Sequence, residues 1–188
     1  MLVLDMMNDL VHPDGKMGAR FAGQVTKREV LSNAARAVDR ARRNGLPVIF
    51  VVIGFTAGFE EFPDDSPLLR EPPATRPMLG TWGTQVHDAI KPAPGESVVV
   101  KHRVSPFYAT NLDMLLRKRN IDTVLLAGVS TDLVVLSTAR DAHDRDYRVT
   151  VLSDASAART QQLHTAALSL IGHTADVSTV DEALPDEQ

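Results

Sequence analysis

Pro47-Val48-Ile49-Phe50-Val51-Val52-Ile53 is continuously apolar. A run of that length with no polar alternation predicts a strand buried on both faces, as in a parallel sheet. The segment before it, Arg28 to Asn44, places Val30, Leu31, Ala34, Ala35, Val38 and Ala41 on one stripe, which predicts an amphipathic helix. Gly45 is placed as its terminator, and Pro47 opens the strand. Further upstream, Leu2 to Leu4 reads as a strand ending at Asp5. It is short against the usual five or six residues, so either the strand is trimmed or the native start lies upstream.

Downstream, Gly54 to Pro77 is rich in Pro, Gly and acids and reads as an irregular excursion. A loop this long inside a compact domain is usually functional. The rhythm then resumes. Glu96 to Lys101, Thr123 to Ala127, Tyr147 to Ser153 and Ala175 to Thr179 read as strands. Thr110 to Arg119, with Thr110 and Asn111 as N-cap candidates, Thr131 to Arg145, and Thr160 to Ile171 read as helices. The acidic end from Asp181 is a short helix or a frayed tail. Strand and helix in alternation predict an α/β fold, three-layer α/β/α with a mainly parallel central sheet, and 188 residues suit one domain over 1–188.

Composition narrows the partners. A net charge of −4 gives no electrostatic reason to expect nucleic acid or an anionic membrane. No apolar run approaches the roughly 20 residues that span a bilayer, and Asp5 interrupts the apolar start that a secretory signal would need. The chain has no cysteine, which excludes disulfides and Cys-based metal sites. A cytoplasmic protein is the expectation.

In open parallel sheets, ligands bind outside the carboxyl ends of the strands. Asp5, Lys101 and Gly128 each lie at or just after a predicted strand end, so they share one rim. A carboxylate and an ammonium there favour each other's charged forms, and desolvation opposes both. A plain ion pair capping the strand ends is the competing reading.

Several blocks, in order, resemble the isochorismatase-like hydrolases. Leu4-Asp5-Met6-Met7-Asn8-Asp9 is similar to that family's D-x-Q-N-D block, with Met7 in place of Gln. Lys101-His102-Arg103-Val104-Ser105-Pro106-Phe107 is similar to its K-x-R-x-S-x-F block. Gly80-Thr81-Trp82-Gly83 and Thr138-Ala139-Arg140-Asp141-Ala142 match further segments, and the resemblance runs from Leu2 to Glu182. It implies a Rossmann-like sheet, Asp5 and Lys101 as the catalytic acid/base pair, and a cis peptide bond at Val129-Ser130 that helps aim backbone donors in the amidases. Many members complete the pair with a Cys nucleophile. In Gly128-Val129-Ser130-Thr131-Asp132-Leu133-Val134, the Cys position holds Val134, which can neither attack a carbonyl nor carry a proton.

Substitutes for that thiol are few. Ser130, Thr131 and Ser137 lie in the same segment, but no base is evident beside them by motif. Nicotinamidase-like members bind a divalent ion through an Asp and His cluster after the second strand. This chain has no His between Ile53 and His87, so no metal and no cofactor are expected. His12 and the acids Asp64 and Asp65 read as surface residues. Val129, Ser130, Val134, Trp82 and Phe107 are the expected substrate-binding residues, with Trp82 and Phe107 also near a subunit contact. Phe55, Phe59, Phe62 and Tyr108 read as simple packing. Arg103 reads as a structural ion pair, and Arg20, Arg70 and Arg76 as candidates for a substrate carboxylate. The aromatic, Pro-rich excursion suggests a homodimer or larger homo-oligomer.

True isochorismatases supply a precedent for hydrolysis without Cys, since they carry a small residue at that position and cleave a vinyl ether by proton transfer. The leading expectation is therefore a Cys-independent hydrolase acting on a small organic, carboxylate-bearing substrate, with Asp5 as general acid. The alternatives are an amide or imide hydrolase using water or a Ser/Thr hydroxyl, and a non-catalytic small-molecule-binding member.

Overall fold

A computed structural model of the chain describes residues 1–69 and 72–186. Six strands form its sheet: β1 (Leu2–Leu4), β2 (Ile49–Ile53), β3 (Ser97–Lys101), β4 (Thr123–Val129), β5 (Arg148–Ala157) and β6 (Asp176–Ser178). Their order is β3-β2-β1-β4-β5-β6 and every neighbouring pair is parallel. The helices are α1 (Asn8–Val11), α2 (Gly18–Lys27), α3 (Val30–Arg43), α4 (Leu112–Lys118), α5 (Leu136–His143), α6 (Gln161–Ile171) and α7 (Val180–Ala183). Among the described residues no helix is long and apolar enough to cross a membrane.

The period of two along each strand sorts the core into two layers. Val3, Phe50, Val52, Ala127 and Val129 point to one face, where Phe21 and Val25 of α2 and Val30, Ala34, Val38 and Ala41 of α3 cover them. Leu2, Leu4, Ile49, Val51, Val124 and Leu126 point to the other, against Leu112 and Leu116 of α4, Ala139 of α5 and Ile171 of α6. Strands buried on both sides must be apolar at every position, which is why residues 47–53 show no alternation.

Local chemistry sets the ends. Gly45 takes φ +65° after α3, with its N–H donating to Arg42 and that of Leu46 donating to Ala41. That is a Schellman closure, and it requires the conformational freedom of glycine. The predicted helix at 28–44 begins two residues late because Glu29 is left-handed (φ +53°), which breaks α2 from α3. At α4 the predicted N-cap pair divides the work: Asn111 stands at the cap, while the Thr110 hydroxyl accepts from Leu112 N–H at 3.1 Å. Strand β5 runs beyond the predicted Ser153. A bulge shifts its pairing from Leu126↔Val151 to Gly128↔Ser156, and the strand resumes through Ala157. The helix predicted from Thr131 begins instead as a wide π-turn, Thr131–Val135, before α5.

The excursion after β2 is pinned at its base. Phe55 N–H donates to Pro77 and Leu79 N–H donates back to Phe55, at 2.9 and 2.8 Å. Phe55, Phe59 and Phe62 pack as a ring cluster above that clasp.

Gly128 faces Leu4 across the β1–β4 pair, and a Cβ there would stand 2.2 Å from the Leu4 carbonyl oxygen. Gly128→Ala is expected to cost about 1–3 kcal/mol, the usual range for forcing volume into a packed core. Gly23→Ala, on the exposed side of α2 with nothing within 4 Å, is expected to stabilise by roughly 0.5–1 kcal/mol. Urea denaturation midpoints of the two variants check both signs.

Candidate active site

Strand β1 ends at Leu4, and Asp5 turns out of the sheet in the left-handed region (φ +53°), held by its N–H on Val51 O at 2.9 Å. Aspartate tolerates that conformation better than most residues. The turn aims the carboxylate across the top of β2. Lys101 ends β3, the next strand but one, in register with Ile53. Two strand spacings make roughly 10 Å, which the long lysine side chain helps to close. Its Nζ lies 2.8 Å from Asp5 Oδ2 and also donates to Arg103 O at 3.1 Å. Both side chains are withdrawn from solvent, with Lys101 1% and Asp5 5% exposed.

The other carboxylate oxygen, Asp5 Oδ1, is buried with no hydrogen-bond partner among the described residues. Burial pushes the Asp5 carboxyl above the ordinary aspartate range, outweighing the opposing pull of Lys101 and of the Ile53 backbone. A buried polar atom without a partner, in a residue that lines a cavity and has a shifted pKa, marks a candidate functional site. Here the cavity measures about 100 Å³. A water needs roughly 10–15 Å³ on that scale, so a small organic molecule fits.

Val129, Ser130, Leu133 and Val134 form one wall of the cavity, and the Val129-Ser130 peptide bond is cis. Met17, Arg20 and Phe21, from α2 and the turn before it, form another, with Leu10 of α1. Phe62, Arg76 and Pro77 come from the excursion, and Arg159 from the turn after β5. Among the described residues the charged lining groups are Asp5 against Lys101, Arg20, Arg76 and Arg159, an excess of cations.

Of the residues expected from sequence, Asp5, Lys101, Val129, Ser130 and Val134 meet at this cavity. Trp82 and Phe107 do not line it within the chain. Trp82 is 47% exposed, its carbonyl accepts from Asn8 Nδ2, and His12 stacks edge-on against its ring. Phe107 is buried in the core beside Tyr147, with Arg145 over its ring. Phe62 departs from its reading as simple packing, since it both joins the ring cluster and lines the cavity. Among the described residues Arg103 makes no ion pair; it donates to the backbone carbonyls of Glu61 and His102. Arg20 and Arg76 line the cavity, whereas Arg70 lies outside the described residues.

The remaining hydroxyls are arranged differently from one another. Ser130 borders the cavity. Thr131 is fully buried behind it, 2.8 Å from Nδ1 of His164, a ring that burial holds at a pKa of about 4. Neither Thr131 nor His164 lines the cavity. Among the described residues no three His, Asp or Glu side chains come together as a metal would need, so the donor set does not fit one. Arg159 was missed from sequence although a signal existed: it follows Ala157-Ala158 at the carboxyl end of β5, on the same rim.

Comparison with known proteins accords with this geometry. The chain is 34% identical to the ureidoacrylate amidohydrolase RutB of Methylobacterium radiotolerans, over 98% of this chain and 78% of that protein. The solved structure of N-carbamoylsarcosine amidase from Thermoplasma acidophilum superposes with a TM-score of 0.77 at 35% identity, covering 96% of this chain and 95% of that one. Pyrazinamidase/nicotinamidase from Streptococcus mutans UA159 gives a TM-score of 0.80 at 30% identity, covering 94% and 98%. The isochorismatase domain model matches residues 1–182, and the chain belongs to the isochorismatase-like hydrolases.

Proposed function

We propose that this chain hydrolyses a small, carboxylate-bearing substrate without a covalent enzyme intermediate, Asp5 transferring the proton and water supplying the nucleophile. The observation that carries the reading is Asp5 itself: it lines the cavity, its Oδ1 is buried without a hydrogen-bond partner among the described residues, and the other charged lining groups among those residues are all cations. Because burial raises the Asp5 pKa, the carboxyl is biased toward the form that can donate. An enol ether suits such a donor. Asp5 protonates the enol-ether carbon, the resulting oxocarbenium takes up water, and a proton from that water returns to Asp5 as the hemiketal collapses to ketone and alcohol. Lys101 orients the carboxyl and balances the charge of the loaded site.

A second reading is favoured by the relatives. Ureidoacrylate amidohydrolase and N-carbamoylsarcosine amidase are both named for substrates joining a carbamoyl nitrogen to a carboxylic acid. On such a ureido acid the nucleophile in this chain is again water, since there is no cysteine, and Asp5 acts first as base. The two readings differ in the protonation state Asp5 must start from. An acid role requires kcat/KM to fall as pH rises through the elevated Asp5 pKa, and a base role requires it to rise there. The descending limb is expected, measured as pyruvate release from carboxylate-bearing pyruvate enol ethers. Asp5→Asn keeps the shape but cannot deliver a proton, so a loss of roughly 10²–10⁴-fold is expected. Undiminished turnover in Asp5→Asn would refute the acid role.

Val134→Cys tests the elbow. It is expected to gain hydrolysis of ureidoacrylate that iodoacetamide abolishes, while the wild type, having no thiol to alkylate, is indifferent to the reagent. A thiol there that alkylates without conferring amidase activity would argue against donors placed for an amide.

The pair itself is expected to serve chemistry more than stability. Lys101→Met strands the Asp5 carboxylate in a dry site, at an expected cost of about 3–5 kcal/mol. Adding Asp5→Asn, which keeps a residue suited to the left-handed turn, is expected to recover most of that loss. Guanidinium unfolding of the single and double variants measures both steps.

A further inference from the structure

Two other arginines in this chain show what a fully used guanidinium edge looks like. Arg42 donates from Nε and Nη2 to the two carboxylate oxygens of Glu96, at 2.9 and 2.7 Å. Arg40 does the same toward Asp186, from Nε and Nη2. Arg76 presents the same edge half-filled. Its Nη2 reaches Asp64 Oδ1 at 3.3 Å, and its Nε is buried with no partner among the described residues.

The rest of Arg76 is held firmly. Its guanidinium carbon sits 3.7 Å from the centroid of the Phe62 ring and 5.6 Å from that of Phe59. Stacking of this kind fixes the plane of the fork and leaves its edge to bind. The neighbouring Pro77 is tied into the clasp at the base of the excursion through Phe55 N–H. Arg76 lines the same cavity as Asp5, and each of the two holds a buried polar atom without a partner among the described residues, Oδ1 of Asp5 and Nε of Arg76.

We infer that Arg76 is the seat of the substrate's carboxylate, with Asp64 as a placeholder that the substrate displaces. The inference rests on the reading above that the substrate bears a carboxylate, and it adds which residue reads that group. A ligand carboxylate on Nε and Nη2 completes the fork that Arg40 and Arg42 complete with protein acids, and it satisfies the stranded Nε–H. Asp64 gives way readily, because its side chain is 77% exposed and makes one contact with Arg76. Exposed single-contact ion pairs contribute little.

Butyrate and its uncharged isostere 2-pentanone test this on the full chain by NMR titration. Neither has a bond to hydrolyse, so the result does not pass through Asp5 chemistry. Butyrate is expected to bind more tightly than 2-pentanone. Arg76→Gln is expected to weaken butyrate by roughly 10–100-fold, the range for a lost charge-assisted hydrogen-bond pair, and to leave 2-pentanone unchanged. Arg76→Lys, which keeps the charge without the fork, is expected to recover only part of the loss, and Asp64→Asn to tighten butyrate several-fold. The assignment fails if the wild type does not prefer butyrate, or if the preference survives Arg76→Gln. Full recovery in Arg76→Lys overturns the fork, and unchanged butyrate binding in Asp64→Asn overturns the placeholder. An acid role disproved by an active Asp5→Asn leaves the butyrate preference standing, so the two failures are separable.

Discussion

The hydrogen-bonded placement of β1 between β2 and β4 is the constraint from which the site follows. Leu2, Val3 and Leu4 pair on both sides in parallel register and are almost wholly buried. From β1 the chain builds outward through β2 and β3, then returns to the other side of β1 to lay down β4. Connections above the sheet therefore diverge at the β1–β4 junction, which opens a crevice at that rim. Gly128 opposite Leu4 lets the two strand ends approach backbone to backbone. Asp5, one residue past β1, and Val129-Ser130, at the end of β4, consequently border the same cavity.

That arrangement is not a stabilising one. A carboxylate and an ammonium taken out of water lose several kcal/mol of solvation each, and their attraction at contact distance often does no better than break even. The direction of the Asp5 shift says which effect wins at the carboxyl: desolvation exceeds the pull of Lys101. A raised folded-state pKa means that the native state holds its proton to higher pH than the unfolded chain. The associated stability is complete below the unfolded value, and it is lost as pH rises through the folded one. Asp5 thus costs the fold at neutral pH, and the cost is borne in the same group that faces the cavity.

How much of this was legible depended on how local the signal was. The parallel strands declared themselves because a strand buried on two faces has no choice but to be apolar, and the rim rule then located Asp5 and Lys101 without any coordinates. Helix α2 escaped notice because its buried stripe is only Gly18, Phe21 and Val25, and no Pro or Gly separates it from α3. The break is Glu29 in a left-handed conformation that glutamate rarely adopts. Trp82 and Phe107, expected at a pocket and a subunit contact, do not line the cavity within the chain, for a different reason. An aromatic near a conserved-looking block has the composition of a pocket wall, but whether it faces the cavity, the core or solvent is decided by elements far away in sequence. Phe107 is captured by Tyr147, 40 positions later, and Trp82 by His12 and Asn8, more than 65 positions earlier.

The missing thiol gives the tertiary arrangement of the hydroxyls its significance. A hydroxyl nucleophile requires both access to the substrate and a base to take its proton. Ser130 borders the cavity but makes no hydrogen bond to a base through its side chain among the described residues. Thr131 has a base, His164, at 2.8 Å, yet both are buried away from the cavity. Thr138 donates its hydroxyl to Val134 O inside the helix, and Ser137 opens onto a separate surface hollow beside Arg140 and Tyr108. Each hydroxyl lacks at least one of the two requirements. Val134, in the same cavity wall as Ser130, is an apolar side chain with no lone pair to offer. On the proposed reading, chemistry in this cavity turns on where Asp5 holds its proton and where water is admitted.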